Sequence, residues 1–251
     1  MSGHSKWSTI KRKKAAVDAK RGQLFTRLAR EIAVAAREGG GDPDSNFTLR
    51  LAIDRARASN MPKENIDRAI KRGTGEGADG AAFEQVMYEG YAPHGVALII
   101  QVVTDNRNRT VADIRHALTS AGGSLGEGGS VAWQFTRSAY FAFPAAGQDA
   151  DTVFDLAVEA GAEDVVFDDE AIEIFGPVDS FKHISDALSE AGIKPDESQL
   201  RMIPNQEINL EADQAAQVLR VLESLDELDD VQSVSSNLDI TEEAIAKLEM
   251  A

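Results

Sequence analysis

A glycine-rich break at residues 73–80 constrains the fold most strongly, because it divides the chain into two parts with different patterning. The segment reads Gly-Thr-Gly-Glu-Gly-Ala-Asp-Gly and has no apolar periodicity. Before it, apolar residues recur at helical spacing, whereas apolar runs typical of strands alternate with helical patterns after it. We therefore expect a helical N-terminal region and a separate α/β part, with the break as their boundary.

Three short helices are predicted before the break. The first has one apolar face along Leu24–Ala36 and ends at the glycines of 39–41. Asp42-Pro43 offers an N-cap for the second helix, and Asn60-Met61-Pro62 ends it. The third helix stops at Gly73. Narrow apolar stripes of this kind predict a small bundle.

Strands and helices mix after the break. The nearly continuous apolar run Val96–Val103 predicts a buried strand. Residues 139–203 have the order β-α-β-β-α-β, which is that of a ferredoxin-like unit. The predicted elements outside that block are a helix over 108–121, a strand over Val131–Phe135, a strand near 206–210, a helix over 212–225, a strand over 229–235 and a helix over 241–249.

The two β-α-β pieces that flank this block are expected to make a second ferredoxin-like unit together. The predicted fold class is therefore α+β and multi-domain, with an N-terminal helical bundle followed by two ferredoxin-like α/β domains, one inserted in the other. The expected domains are a basic three-helix domain (1–78), a discontinuous α/β domain (79–136 with 205–240) and an inserted domain (137–204). A linear array of αβ units is the alternative.

Charge is distributed very unevenly along the chain. Residues 1–30 hold nine Lys or Arg and one acid, residues 31–76 hold eight of each sign, and residues 77–251 hold nine cations against 33 acids. The net charge of −16 thus combines a basic head with an acidic body. Such asymmetry is typical of polyanion binding by the basic part, and a solvated basic tail is the alternative.

The basic head supplies the candidate nucleic-acid contacts. Trp7 lies among too few apolar neighbours for a core of its own, so it either stacks on a base or packs on the first domain. Arg27 and Arg30 are expected on the exposed side of the first helix, where phosphate contact and plain solvation are both compatible with the pattern. The candidate residues are Lys6, Trp7, Lys11, Arg12, Lys13, Lys14, Lys20, Arg21, Arg27 and Arg30.

Two loops after the break are secondary candidates. Arg107 and Arg109 lie where a buried strand passes into a helix, so they either contact an anion or merely flank a helix cap made by a neighbour within Asp105–Asn108. The loop Gly122–Gly129 holds five glycines in eight residues. Such a loop is costly to order, which favours a segment that moves or approaches a partner, although ordinary loops have the same composition.

The sequence argues against catalysis. It has no cysteine, and its four histidines are dispersed, so we expect no metal site, no cofactor and no catalytic residues. Gly75-x-Gly77-x-x-Gly80 follows a helix rather than a strand, which argues against a dinucleotide fingerprint. Asp168-Asp169-Glu170 is interpreted as a polar hairpin turn, and metal binding by these acids is the alternative. No apolar run approaches the roughly 20 residues of a membrane span, and we expect a cytoplasmic protein.

Several motifs resemble those of the YebC family, in the same order along the chain. They are Gly3-His4-Ser5-Lys6-Trp7 with Lys11-Arg12-Lys13 and Phe25, Asn60-Met61-Pro62-Lys63 with Ile66–Ile70, Tyr88–Tyr91 with Pro93-His94-Gly95, and Thr104–Thr110. The resemblance implies three domains, one interrupting another, and a non-enzymatic transcriptional regulator that binds DNA. Because family members are also linked to translation, it leaves open a ribosome-associated factor that binds RNA.

Overall fold

The computed structural model describes residues 18–75 and 83–249 and has an α+β fold. Within these ranges the helices are α1 (Asp18–Gly39), α2 (Phe47–Ala58), α3 (Lys63–Gly73), α4 (Arg107–Ser120), α5 (Ala150–Glu159), α6 (Phe181–Glu190), α7 (Ala212–Asp226) and α8 (Glu242–Glu249). The strands are β1 (Glu84–Tyr91), β2 (Ala97–Thr104), β3 (Ser124–Leu125), β4 (Phe135–Pro144), β5 (Asp164–Phe167), β6 (Ala171–Pro177), β7 (Glu197–Pro204) and β8 (Val231–Ser236).

The described residues divide into two compact units. The first contains the described residues up to Val131 together with Gln217–Val234, and it therefore includes the three N-terminal helices. The second contains Ala132–Ala216 and the described residues from Ser235 onward.

Helices α1, α2 and α3 pack around a shared apolar core, as the sequence predicts. The close approach of α1 and α3 depends on Gly73, since a Cβ there would lie 2.2 Å from the carbonyl oxygen of Ala33. The expected start of α2 at Asp42-Pro43 is wrong, because Asn46 is its N-cap. The Asn46 Oδ1 accepts from the Leu49 amide at 3.1 Å, and its Nδ2 donates to the carbonyl of Ala35 at 2.7 Å.

The first sheet has the strand order β3-β1-β2-β8. Strand β2 is buried along almost its whole length, as its apolar run predicts. Strand β1 is absent from the sequence prediction, yet it pairs antiparallel with β2 from Glu84↔Thr104 to Tyr91↔Ala97. The predicted strand near 206–210 is wrong, because that segment makes only one isolated bridge, Ile208↔Leu238.

The second sheet has the strand order β5-β6-β4-β7 and confirms the predicted ferredoxin-like unit. Its core face carries Phe141, whose ring centroid lies 4.7 Å from that of Phe181 on α6. The predicted strand over Val131–Phe135 is wrong, because Ala132–Gln134 forms a 3-10 turn and β4 begins only at Phe135.

The sheets are nested along the chain. The strands of the second sheet all lie between Phe135 and Pro204, whereas the first sheet takes strands from both sides of that segment. The insertion predicted by the fold class is confirmed, and the linear array is wrong. No helix among the described residues has the length and apolar character needed to cross a membrane.

Candidate nucleic-acid interface

The predicted site residues fall into three groups. Lys20 and Arg21 lie in the first turn of α1, with side chains outside the described part of the chain. The geometry can therefore be read for Arg27, Arg30 and the secondary pair Arg107 and Arg109. The candidates that lie outside the described residues altogether are Lys6, Trp7, Lys11, Arg12, Lys13 and Lys14.

Arg27 differs from its expected position on an exposed helix face. Its side chain is partly buried, and its Nε is enclosed without a hydrogen-bond partner among the described residues. Burial lowers the pKa of this guanidinium, and the negative charges of Asp226 and Asp229 oppose the shift only in part. Arg27 is thus a desolvated cation that faces acidic residues of the same unit.

Arg30 is also partly buried, and one of its amino groups is engaged within the protein. Its Nη1 donates to the Asp229 carbonyl at 2.6 Å and to Asp230 Oδ1 at 2.8 Å. The expected exposure was wrong because α1 has a second contact face. Beside the bundle core, Ala33 and Val34 of α1 form a buried cluster with Phe83 and Val103.

A buried carboxylate, Asp230, is the centre of this contact. Only 5% of the residue is exposed, yet it is paired with both Arg30 and Arg109. The hydroxyl oxygens of Thr110 and Thr104 lie 2.7 and 3.2 Å from Asp230 Oδ2. Burial alone would raise the pKa of Asp230, but the hydrogen bonds from Arg109 and Thr110 and the charge of Arg30 outweigh it and lower that pKa.

The secondary pair is likewise satisfied internally. Arg107 makes a bidentate ion pair with Glu84, with donor–acceptor distances of 2.5 and 2.7 Å. Arg109 donates to Asp105 at 2.9 Å as well as to Asp230. The N-cap of α4 is Asn106, whose Oδ1 accepts from the Arg109 amide at 3.1 Å. Helix capping is therefore confirmed at this turn, and an anion here would have to compete with existing ion pairs.

Helix α3 instead presents free positive charge. Four of its side chains are exposed cations, and within the described ranges no carboxylate forms an ion pair with any of them. They lie away from the buried Ile66 and Ala69. Counting charge by segment hides them, because residues 31–76 are neutral as a whole. The four residues are Lys63, Arg68, Lys71 and Arg72.

The end of the glycine loop that follows β3 is held by one buried acid, Glu89. The two carboxylate oxygens of Glu89 accept from the amides of Gly129 at 2.6 Å and Val131 at 2.7 Å. Its carbonyl accepts from the Gly126 amide at 2.8 Å. Glu89 itself is only 6% exposed, so the loop is anchored to β1 at three successive points.

Acidic and histidine side chains that could hold a metal ion do not cluster in the described part of the chain. No group of three or more His, Asp or Glu side chains there is arranged to hold a metal ion. His94 instead contacts Gln217 at 2.8 Å. The acidic turn Asp168–Glu170 joins β5 to β6, as the sequence predicts.

The sequence matches two family profiles, which describe the N-terminal domain of TACO1/YebC proteins (residues 5–76) and their second and third domains (residues 83–238). A "probable transcriptional regulatory protein" of Acidithiobacillus ferrooxidans is 53% identical over 249 residues, covering 99% of both chains. One of the same name from Geotalea uraniireducens is 50% identical over 248 residues, covering 99% of this chain and all of its own.

Among solved structures, the crystal structure of the conserved hypothetical protein Aq1575 from Aquifex aeolicus is 42% identical to this chain. It superimposes with a TM-score of 0.84 and covers 91% of this chain and 94% of its own. Because the two profiles together match most of the sequence and the relatives match nearly all of it, the chain belongs to the TACO1/YebC family.

Proposed function

We propose that this protein is a non-enzymatic regulator of transcription that binds DNA through its basic N-terminal region. The names of its relatives support a regulatory role. The observation that carries the proposal is the contrast between two sets of cations. Arg30, Arg107 and Arg109 are neutralised by internal carboxylates, whereas the exposed cations of α3 have no such partner among the described residues.

The basic head adds to the same region of the chain. Residues 1–30 carry a net charge of +8 and include the first part of α1, which packs against α3. Phosphate neutralisation by Lys and Arg releases counterions and gives affinity for any sequence. The acidic body, with a net charge of −24 over residues 77–251, repels a polyanion, so the N-terminal region is where DNA can approach.

The test removes the charge of the head without touching the described core. Alanine substitution of Lys11, Arg12, Lys13 and Lys14 should weaken duplex DNA binding at least about tenfold. It should also reduce the slope of log binding constant against log salt concentration by about three to four. Fluorescence anisotropy with labelled duplex DNA, repeated over a salt series, measures both quantities.

A charge-matched control separates this effect from general electrostatics. The four exposed cations Lys182, Lys194, Arg220 and Lys247 lie outside the proposed region, so their joint replacement by alanine should leave affinity and slope nearly unchanged. Unchanged binding in the head variant, or an equal loss in the control, would contradict the proposal. Tighter binding of single-stranded or ribosomal RNA than of duplex DNA in the same titrations would instead identify an RNA-binding translation factor.

A further inference from the structure

A cleft runs between α1 and α3 in the first unit and has a volume of about 460 Å³. Successive turns of the two helices form its walls, and Phe83 and Asp105 contribute from beyond the break at 73–80. Its volume falls in the range of small-molecule sites, roughly 300–1,000 Å³. The lining residues are Phe25, Thr26, Ala29, Arg30, Met61, Asn65, Arg68, Ala69, Arg72, Phe83 and Asp105.

The polar groups of the cleft are suited to an anion. Arg68 and Arg72 lie one helical turn apart on α3, and both are exposed. Neither forms an ion pair within the described residues, whereas Arg30 is already paired with Asp230. A guanidinium offers a planar fork of donors that matches phosphate oxygens. The cleft therefore holds two guanidinium groups without an ion-pair partner among the described residues, and the Asn65 amide lies beside them.

The apolar groups of the cleft are suited to a flat ring. The guanidinium of Arg72 lies over the Phe83 ring, 4.4 Å from its centroid, so one of its faces is stacked within the protein. Its other face is available for a second planar group, because guanidinium planes stack on aromatic rings from either side. Met61, which is 5% exposed, and the partly buried Phe25 supply apolar wall beside it.

We propose that this cleft binds a single nucleotide, with the base stacked on Arg72 and the phosphate held by Arg68. An isolated anion would leave most of the volume unfilled, and an apolar ligand would make no use of the guanidinium donors. The inference deepens the proposed function, since a nucleotide of a bound strand is one source of this chemistry. A free mononucleotide is the other source.

Met61 provides a direct probe of the cleft. The chain has five methionines, so a methyl NMR spectrum of the whole protein is simple, and a Met61→Leu variant assigns the signal. Titration with adenosine monophosphate should shift the Met61 methyl signal until it saturates, whereas inorganic phosphate alone should not. A short single-stranded oligonucleotide should shift the same signal if the nucleotide comes from a strand.

Substitutions then separate stacking from charge. Arg72→Ala should weaken nucleotide binding by about tenfold, since it removes the planar group on which the base stacks. Arg72→Lys keeps the charge but loses the planar face, so it should lose most of the same affinity. Arg57→Ala, which removes an exposed arginine of α2, is the matched control and should bind like the wild type.

The outcomes distinguish this inference from the proposed function. A chain that binds DNA through its head while Met61 responds to neither nucleotide nor oligonucleotide would overturn the cleft assignment alone. A response to phosphate equal to that of the nucleotide, or full binding by Arg72→Ala, would also overturn it. The assignment is supported if nucleotide binding saturates and Arg72→Ala weakens it. This holds even if the head variant binds DNA unchanged, a result that would show the proposed function to be wrong.

Discussion

At the scale of single residues, Asp230 links two helices of the first unit, although no sequence pattern singles it out. It joins Arg30 of α1 to Arg109 of α4, residues that are 200 and 121 positions away along the chain. The Asn106 cap could be predicted because its partner lies three residues away. The Asp230 contacts could not, because one acid among 33 in residues 77–251 carries no local signal of its partners.

We expect Asp230→Asn to destabilise the protein by about 1–3 kcal/mol, because it leaves the partly buried guanidinium of Arg30 and the exposed one of Arg109 with a neutral partner. Urea unfolding followed by circular dichroism measures the change. Asp186→Asn removes a carboxylate from the exposed i,i+4 pair with Lys182 and should cost no more than about 0.5 kcal/mol. Equal stabilities of the two variants would show that the Asp230 pairs contribute nothing.

The same carboxylate predicts the sign of a pH dependence. The pKa of Asp230 is lowered in the folded state, so the unfolded chain binds more protons as the solution is acidified. The stabilisation is therefore complete above the ordinary Asp pKa of about 3.9 and is lost as pH falls through the folded value. The difference in unfolding free energy between wild type and Asp230→Asn should shrink as pH falls below about 4. A difference that stays constant over that range would contradict the assignment.

At the scale of elements, periodicity predicted the helices better than the strands. The three N-terminal helices have clear apolar stripes and glycine stops, and α3 ends at Gly73 as expected. Strand β1 was missed because its apolar residues do not alternate with polar ones along the sequence and it includes two glutamates and a glycine. Its place in the first sheet is fixed by pairing with β2, and the residue pattern of β1 alone does not reveal this pairing.

Gly73→Ala should destabilise the helical region by about 1–3 kcal/mol, although alanine is the better helix former. The added Cβ would meet the Ala33 carbonyl oxygen at 2.2 Å and the Ala36 Cβ at 2.8 Å, so the helices would have to separate. The control is Gly22→Ala within α1, where the new Cβ has nothing within 4 Å. It should be neutral or stabilising by about 0.5–1 kcal/mol. Thermal unfolding of both variants measures the contrast, and a stabilised Gly73→Ala would refute the close packing.

Glu89→Gln should loosen the glycine loop without unfolding the sheet. A glutamine side chain has one acceptor oxygen, so the amide of Gly129 or Val131 would face an NH₂ group instead. Hydrogen exchange of these two amides should accelerate at least about tenfold, which corresponds to the loss of one charge-assisted hydrogen bond. Glu127→Gln, an exposed change in the same loop, is the control and should leave both rates unchanged. Equal exchange in wild type and Glu89→Gln would show that another contact holds the loop.

At the scale of the whole molecule, chain order and spatial grouping differ. The glycine-rich break separates α1–α3 from the sheets in sequence, and residues 1–78 remain our expected first domain. In space the helices belong to the same unit as the first sheet, joined by the buried cluster of Ala33, Val34, Phe83 and Val103. The boundary at residues 73–80 can be recognised in the sequence because its glycines are close together. The contacts that join the helices to the first sheet cannot, because they come from residues far apart in the chain.

This arrangement predicts that the chain can be cut at the break without coming apart. Brief digestion with endoproteinase Glu-C should cleave first after Glu76, since the break has no apolar residue larger than Ala78 that would bury it in a core. The nicked wild-type protein should still elute as one species in size-exclusion chromatography, because the apolar cluster and the Arg30–Asp230 pair join the two fragments. In Asp230→Asn the ionic part of that contact is gone, so the fragments should separate at a lower urea concentration than in the nicked wild type. Separation of the wild-type fragments without denaturant would mean that the helices are an independent domain, and equal behaviour of the two proteins would mean that Asp230 has no part in holding them together.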